Sequence, residues 1–361
     1  MNMNNIIALG AENKTSFSVI SEKGLFVSSS NEDLKNVECF QKFEEEVRSR
    51  VRSFGSSPYI IACDMHSDYR STYLAETLAK ENHRSSLIRV QHHFAHIASC
   101  MFDNDIDEAV TGVSFDGAGY GDDAAIWGGE FLVATRKSYE RPYHLKYVPQ
   151  PGGDAASREG WRMAVSYLYN AYGDKMTDLK VPLFERIGKK KVSLVREMID
   201  KNINSPLTSS MGRLFDAAAS LIGIRDVSAF EAEGAILLEK NALQCIEDYY
   251  GYEIGADYVD VSPMIRGMVE DDGKGVDKGK MSAKFHNTIV EIIFNVSERI
   301  YKEHGTDKVF ISGGCFQNKY LVDHLEKRFS GTKLKLFKHE KYSPTDMGIS
   351  VGQLTVAASS T

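Results

Sequence analysis

The chain has 361 residues, a formal net charge of −7 and five cysteines. That length implies two domains of ordinary size, with enough core to need no staples, and the acidic balance gives no reason to expect a nucleic-acid partner. Cys39, Cys63, Cys100, Cys245 and Cys315 are widely spaced and form no C-x-x-C pair, which excludes a cysteine-based zinc module and a disulfide framework.

In chain order, the opening MNMNNIIALG lacks the basic and long apolar regions of a signal peptide. No apolar run reaches the roughly 18 residues of a membrane span. A cytoplasmic protein is expected. The runs at 5–10, 15–21 and 24–30 read as short strands broken by turns. Residues 31–54 have helical spacing, with Leu34, Val37, Phe40, Phe43, Val47 and Val51 three or four apart. A buried strand YIIACD (59–64), a helix over 68–82 and a strand SLIRV (86–90) follow, an order that means parallel pairing in an α/β layer.

VQHHFAHIA (90–98) places three histidines within five positions. If a helix begins near Gln91, His92 and His96 stand at i and i+4, about 5–6 Å apart on one face, where two imidazoles can share an ion. His93 points roughly 100° away and is the poorer candidate. The same spacing also serves an ordinary polar pair, so a third ligand matters. Asp346, in YSPTDMGIS (342–350), is one candidate, although its position equally suits a cap for the last helix. Two histidines and one carboxylate would leave open positions suited to iron(II) or zinc.

A second strand group starts at 109–121 and continues through 124–137. The middle of the chain is mostly helical, at 154–173, 189–202, 212–223 and 233–250. KKKV (189–192) reads as a solvated basic spot, and DDGKGVDKGK (271–280) as an exposed loop. The clearest helix is 282–305, with Phe285, Ile289, Ile292, Val296 and Ile300 in register, Ser282 as N-cap and Gly305 as C-cap. A strand (308–314), a helix (319–329), a strand (333–337) and a final helix near 348–358 close the chain. Two α/β lobes fit this order, the first over 1–110 and the second over 111–361, the latter with a helical insertion.

SFDGAGYGDD (114–123) and FISGGCFQN (310–318) read as glycine turns at strand exits, where backbone N–H groups can approach phosphate oxygens. Neither matches a P-loop or a G-x-G-x-x-G pattern. In SSMGRLFDAA (209–218), Gly212 stands near a helix start. Asp216 could accept hydrogen bonds from a ribose, or be a solvated first-turn aspartate.

Taken in order, VQHHFAHIA, FDGAGYGDDAAIWGGEF, PGGDAASREGWRMA, SSMGRLFDAAASLIG, FHNTI and ISGGCFQN resemble the carbamoyltransferase domain of the HypF hydrogenase-maturation family, from about Ile6 to the C-terminus. The resemblance implies an ASKHA-type α/β fold, two RNase-H-like lobes with nucleotide and metal in the cleft between them. It implies that His92, His96 and Asp346 ligate a divalent metal (Fe2+ or Zn2+, or Mg2+). It places Asp116, Gly117, Gly119, Gly121, Gly212, Asp216, Gly313, Gly314 and Asn318 against ATP or carbamoyl-adenylate. Arg158, Trp161 and Arg162 receive no role.

The implied activity is transfer of a carbamoyl group from carbamoyl-adenylate to the C-terminal cysteine of a HypE-like partner, the precursor of the CN ligand of NiFe-hydrogenase. The acylphosphatase, zinc-finger and YrdC-like domains that normally precede this one in the family are not in the sequence, so a separate YrdC-type protein is an expected source of the adenylate. No covalent intermediate is expected, with Cys315 the residue that would contradict this. O-carbamoylation of a small metabolite and a non-catalytic nucleotide-binding subunit are the alternatives. A membrane partner is not expected.

Overall fold

The computed structural model describes residues 5–28 and 33–360. The strand expected over 24–30 and the helix expected from 31 each reach into 29–32, outside the described residues. Strands β1 (Asn5–Ala8), β2 (Ser18–Ser21) and β3 (Gly24–Val27) form an antiparallel meander. Helix α1 (Val37–Ser53) starts where the Asn36 side chain accepts from the backbone N–H groups of Glu38 and Cys39. Strand β4 (Tyr59–Asp64), helix α2 (Arg70–Glu81) and strand β5 (Ser85–Val90) follow, giving the sheet order β3-β2-β1-β4-β5 with β1, β4 and β5 parallel.

The unbroken apolar run of β4 is explained by its two covered faces. Tyr59, Ile61 and Cys63 pack with Phe43, Val47, Leu74 and Leu78 on one side. Ile60 and Ala62 pack on the other with Leu354 and Ala357, from the far end of the chain.

Helix α3 (His92–Asp103) leads from β5 to the second sheet. That sheet is built from β6 (Val110–Tyr120), β7 (Ile126–Ala134), β8 (Tyr139–Leu145) and β9 (Val148–Pro149). Helices α4 (Ala155–Arg158), α5 (Gly160–Tyr172), α6 (Pro182–Ile187) and α7 (Lys189–Asp200) come next. They precede β10 (Leu207–Thr208), α8 (Met211–Leu221), α9 (Glu233–Asn241), β11 (Glu253–Ile254) and β12 (Tyr258–Asp260). Helices α10 (Ser262–Gly273) and α11 (Lys278–His304), strand β13 (Lys308–Ser312), helix α12 (Lys319–Phe329), strand β14 (Lys335–Phe337) and helix α13 (Ile349–Ser359) complete the chain. The main path of the sheet runs β11-β12-β8-β7-β6-β13-β14.

One face of this sheet, with Val113, Phe115, Phe131 and Ile311, carries the large core under α5, α8 and α11. The opposite face, with Val110, Leu132, Ala134 and Phe310, packs on Phe94, Ile97, Ala98 and Met101 of α3 and on Ile349 and Val356 of α13. Helices α3 and α13 therefore lie between the two sheets, and the histidine helix is buried where the lobes meet.

Their approach is close. A Cβ at Gly352 of α13 would stand 1.8 Å from the Ala95 carbonyl oxygen of α3. Gly352→Ala should cost about 3 kcal/mol, because two packed helices must separate to admit one methyl. Urea unfolding checks this, and an unchanged midpoint would show that the contact yields freely.

Four stretches differ from the sequence reading. Residues 117–121 are not a turn before a helix: β6 runs on to Tyr120, shifts register between Phe115 and Gly119, and pairs with β7. The charged stretch 271–280 is mostly helical, since α10 reaches Gly273 and α11 begins at Lys278 with the Asp277 side chain accepting from Gly279 and Lys280 N–H. Ser282 is accordingly inside α11, where its hydroxyl donates to the Leu238 carbonyl, while Gly305 does end the helix with φ 77°. Helix α9 stops at Asn241 rather than continuing to 250. Asn287 holds the following segment by donating to the Ile246 and Asp248 carbonyls. Strand β8 was not read from the sequence, because its short exposed-then-buried pattern carries little alternation. No helix among the described residues is long and apolar enough to cross a membrane.

Candidate metal centre and nucleotide cavity

Helix α3 begins as its sequence requires: the Gln91 side chain caps it, accepting from Phe94 N–H at 2.9 Å. His92 and His96 then share a face, with ring centroids 5.0 Å apart. Asp346 does not cap the last helix. It opens a short 3-10 turn (Asp346–Gly348) ahead of α13 with no side-chain capping bond, and its carboxylate faces the histidines instead. Asp346 Oδ1 lies 3.7 Å from His92 Nε2 and 3.8 Å from His96 Nε2.

A fourth donor joins them. Asp116 Oδ2, from β6, lies 3.4 Å from His92 Nε2 and 3.5 Å from His96 Nε2. One donor atom from each of His92, His96, Asp116 and Asp346 falls within 4.8 Å of the others. Donors about 2.1 Å from a shared tetrahedral ion stand about 3.4 Å apart, so this set is nearly the right size. His96 Nε2 is buried without a hydrogen-bond partner, a cost that an ion would remove. The residues fit a divalent metal.

The electrostatics agree. Burial works against a charged His92, but its hydrogen bonds to Asp116 and Asp64 raise its pKa well above the ordinary imidazole value. Burial also opposes the Asp116 carboxylate, yet His92 and His96 hold its pKa well below the usual range. Asp346 is pushed up to about 6 by burial and by Asp116 beside it. Two carboxylates and two imidazoles packed this tightly are stabilised by a shared cation. Behind His92, Asp64 Oδ2 accepts from Nδ1 at 2.8 Å, which turns Nε2 toward the cluster. His93 is buried on another side. Its Nδ1 accepts from the Gln91 amide and its ring lies near Trp127, while burial and the neighbouring His92 hold it neutral.

A cavity opens directly off this cluster, sharing Asp116 and Asp346 as wall residues. Of the residues expected against a nucleotide, Asp116, Gly117, Gly212, Asp216, Gly314 and Asn318 line it. Gly119, Gly121 and Gly313 do not. A Cβ at Gly119 would sit 2.5 Å from the His93 ring, one at Gly121 would meet Trp127 at 2.1 Å, and one at Gly313 would stand 2.2 Å from Phe115 O. At these three glycines the space beside the backbone is taken by neighbouring groups of the protein. At Gly117, by contrast, nothing lies within 4 Å of a Cβ.

Asp216 is not solvated. It is buried, its pKa is raised by that burial, and its Oδ2 lies 2.8 Å from Arg213 Nη2. Asn318 caps α12, accepting from Leu321 N–H at 2.8 Å, and its amide donates to His286 Nε2 at 2.9 Å. His286 suits that role, since burial pushes its pKa down to about 4 and keeps the ring neutral. Gly314 N–H donates to Asp116 Oδ1 at 3.1 Å, tying the glycine turn after β13 to the cluster. The Cys315 thiol, at the cavity wall, is pushed well above its ordinary pKa by burial and by Asp116.

Sequence comparison matches residues 112–353 to the second subdomain of the Kae1-like carbamoyltransferase domain and residues 1–103 to the HypF Kae1-like domain. A HypF homologue from Cupriavidus necator is 31% identical over 98% of this chain and 91% of its own length. The chain belongs to the HypF carbamoyltransferase family. HypF of Synechocystis sp. is 31% identical over 97% of the chain but only 46% of its own length. The chain thus spans about half of most of the curated HypF relatives it matches. Full-length HypF, solved in a phosphate- and nucleotide-bound form, superposes with a TM-score of 0.90 at 37% identity, over 99% of this chain and 55% of that one. HypF from T. kodakarensis gives 0.88 at 27% identity, over 98% and 47%. The two α/β lobes are the ASKHA-type architecture of this HypF domain.

Two features of the site were absent from the sequence reading. Asp116 was grouped with the glycine turn, and only the course of β6 brings its carboxylate to the histidines. Asp64 ends β4, and the parallel pair Asp64–Val90 sets it beside the start of the histidine helix.

Proposed function

We propose that this chain transfers a carbamoyl group from carbamoyl-adenylate to the C-terminal cysteine thiol of a HypE-like partner, as a step in NiFe-hydrogenase maturation. The observation that carries this reading is the shared wall: the four-donor cluster and the cavity meet at Asp116 and Asp346. A donor bound in the cavity would thus have its reactive end at the cluster. Full-length HypF, of which this chain spans 55%, has been solved in a phosphate- and nucleotide-bound form.

Carbamoyl-adenylate is a mixed anhydride, so its carbonyl carbon is already activated. The partner's thiol gives up its proton to solvent as its sulfur bonds to that carbon, the bond from carbon to the phosphate oxygen breaks, and AMP leaves as a stable anion without strong acid help. His92, His96, Asp116 and Asp346 would hold a divalent ion, which would supply positive charge to the carbonyl or phosphate oxygens. Gly117, Gly212 and Gly314 keep the cavity wall free of side chains beside the phosphate, and Asp216 is placed to accept from a ribose hydroxyl. The chain needs no nucleophile of its own, and burial keeps Cys315 protonated.

Gly117→Val tests the cavity. A side chain there enters open space, and β-branched residues suit a strand. Affinity for an ATP analogue, measured by calorimetry, should fall at least about tenfold, or some 1.4 kcal/mol, while the melting temperature holds. Unchanged affinity would remove this cavity as the nucleotide site. The variant is cleaner than one at Asn318, whose loss would also remove a helix cap.

A further inference from the structure

The two histidines of the cluster are backed differently. His92 Nδ1 meets a carboxylate directly, but among the described residues no carboxylate reaches His96 Nδ1. Ser312 Oγ, at the end of β13, lies 3.4 Å from His96 Nδ1 and 2.9 Å from His339 Nε2. On its other side, His339 Nδ1 stands 3.5 Å from Asp103 Oδ2, facing that carboxylate without a hydrogen bond to it. The side chains of Ser312 and His339 are buried, so only groups within the protein can partner their polar atoms.

We propose that the hydrogen-bonded pair Ser312–His339, with the Asp103 carboxylate facing the far side of the His339 ring, positions His96, fixing its proton on Nδ1 and turning Nε2 toward the metal. This inference rests on the metal-site reading above.

The polarity of this arrangement follows from its chemistry. An Nε2 that gives its lone pair to an ion leaves the proton on Nδ1, so His96 must donate to Ser312 Oγ. The hydroxyl has one proton of its own, and it passes that bond on to His339 Nε2 as acceptor. The remaining proton of His339 is then on Nδ1, where Asp103 is the group it faces. Every member has one consistent orientation, and reversing any bond would set two donors against each other.

Asp103 also closes a larger loop. It ends the same helix that carries both histidines, and its carboxylate accepts from the backbone N–H groups of Glu340, Lys341 and Tyr342 at 2.7 to 3.2 Å. That segment runs on to Asp346. One carboxylate thus fastens the histidine helix to the strand connection that delivers the opposing ligand, while the Ser312–His339 pair fixes the ring between them. Ser312, His339 and Asp103 are positioning residues; none of them is among the four donors.

The test uses Co2+ as probe on the full chain, with affinity from chelator competition and site geometry from the visible absorption of the bound ion. Ser312→Ala should weaken Co2+ binding roughly ten- to hundredfold and alter the absorption bands. Ser312→Thr, which keeps the hydroxyl, should restore both. Binding of an ATP analogue without metal should stay at its wild-type value in Ser312→Ala, which a general packing defect would not allow. Wild-type Co2+ affinity and spectrum in Ser312→Ala would overturn the proposal while leaving the metal site standing. Failure of the wild-type chain to bind Co2+ would instead overturn the metal-site reading, and this proposal with it.

Discussion

His92→Ala, His96→Ala, Asp116→Ala and Asp346→Ala should each abolish metal binding, whereas His93→Ala should keep it. The four donors converge on a volume sized for one ion, and each contributes a single atom. Removing any one leaves three groups with a gap where the ion needs a ligand, and metal content should fall from about one equivalent to a small fraction. The variants need not unfold. Asp346→Ala should be tolerated best, because burial and Asp116 already push its pKa up to about 6. His93 behaves oppositely. It is fully buried against Trp127 and outside the cluster, so truncation leaves a cavity costing about 3 kcal/mol but spares the ligands. Asp64→Asn should fall between, with metal affinity down about tenfold or more, because it acts only through the His92 ring. Elemental analysis and thermal unfolding of the six variants separate these outcomes. Full metal content in His92→Ala would show that the cluster is not the metal site.

The histidine pair was legible in the sequence because its geometry is local: an i,i+4 spacing and a capping Gln91 are set by residues within one turn. The sequential order of strands and helices was legible for the same reason, since β4, α2, β5 and α3 each carry their own periodicity. What stayed hidden depends on register. Asp116 sits inside a glycine-rich stretch whose local pattern reads as a turn, and only pairing with β7 shows that the chain there is still a strand. Ser312 and His339 are unremarkable residues at the ends of neighbouring strands, and 237 positions separate Asp103 from the backbone of Glu340 that it holds. The charged stretch 271–280 failed differently. Its polar residues belong to the exposed faces of two helix ends, where charge and glycine give the same local signal as a loop.

The reaction itself divides into two halves, and the chain is expected to perform one. Given ATP and carbamoyl phosphate alone, the purified 361-residue chain should make little or no carbamoyl-adenylate. Given pre-formed carbamoyl-adenylate, or a separate YrdC-type protein, it should carbamoylate a cysteine-ended acceptor peptide. The reason is the economy of the cavity. Making the adenylate requires carbamoyl phosphate to lose its phosphate to water and the resulting carbamate to displace pyrophosphate from ATP, and holding these anions beside a triphosphate calls for several cations. The cavity wall instead carries Asp116, Asp216, Glu231, Glu239 and Asp346, with Lys14 and Arg213 as its cations. Both cations are engaged, Lys14 with Glu231 at 3.1 Å and Arg213 with Asp216 at 2.8 Å. Such a wall offers one divalent site and, among the described residues, no free cation to offset the further charge of carbamoyl phosphate beside a bound nucleotide. Mass spectrometry of the acceptor reads the result as one added carbamoyl group. Efficient modification from ATP and carbamoyl phosphate alone would show that this one cavity performs both steps. No modification under either condition would turn the assignment toward a small hydroxylated metabolite as acceptor. With the acceptor supplied and carbamoyl-adenylate present, Asp346→Ala should bring the transfer to background, since the residue joins the cluster to the cavity and no other group in the wall replaces its carboxylate.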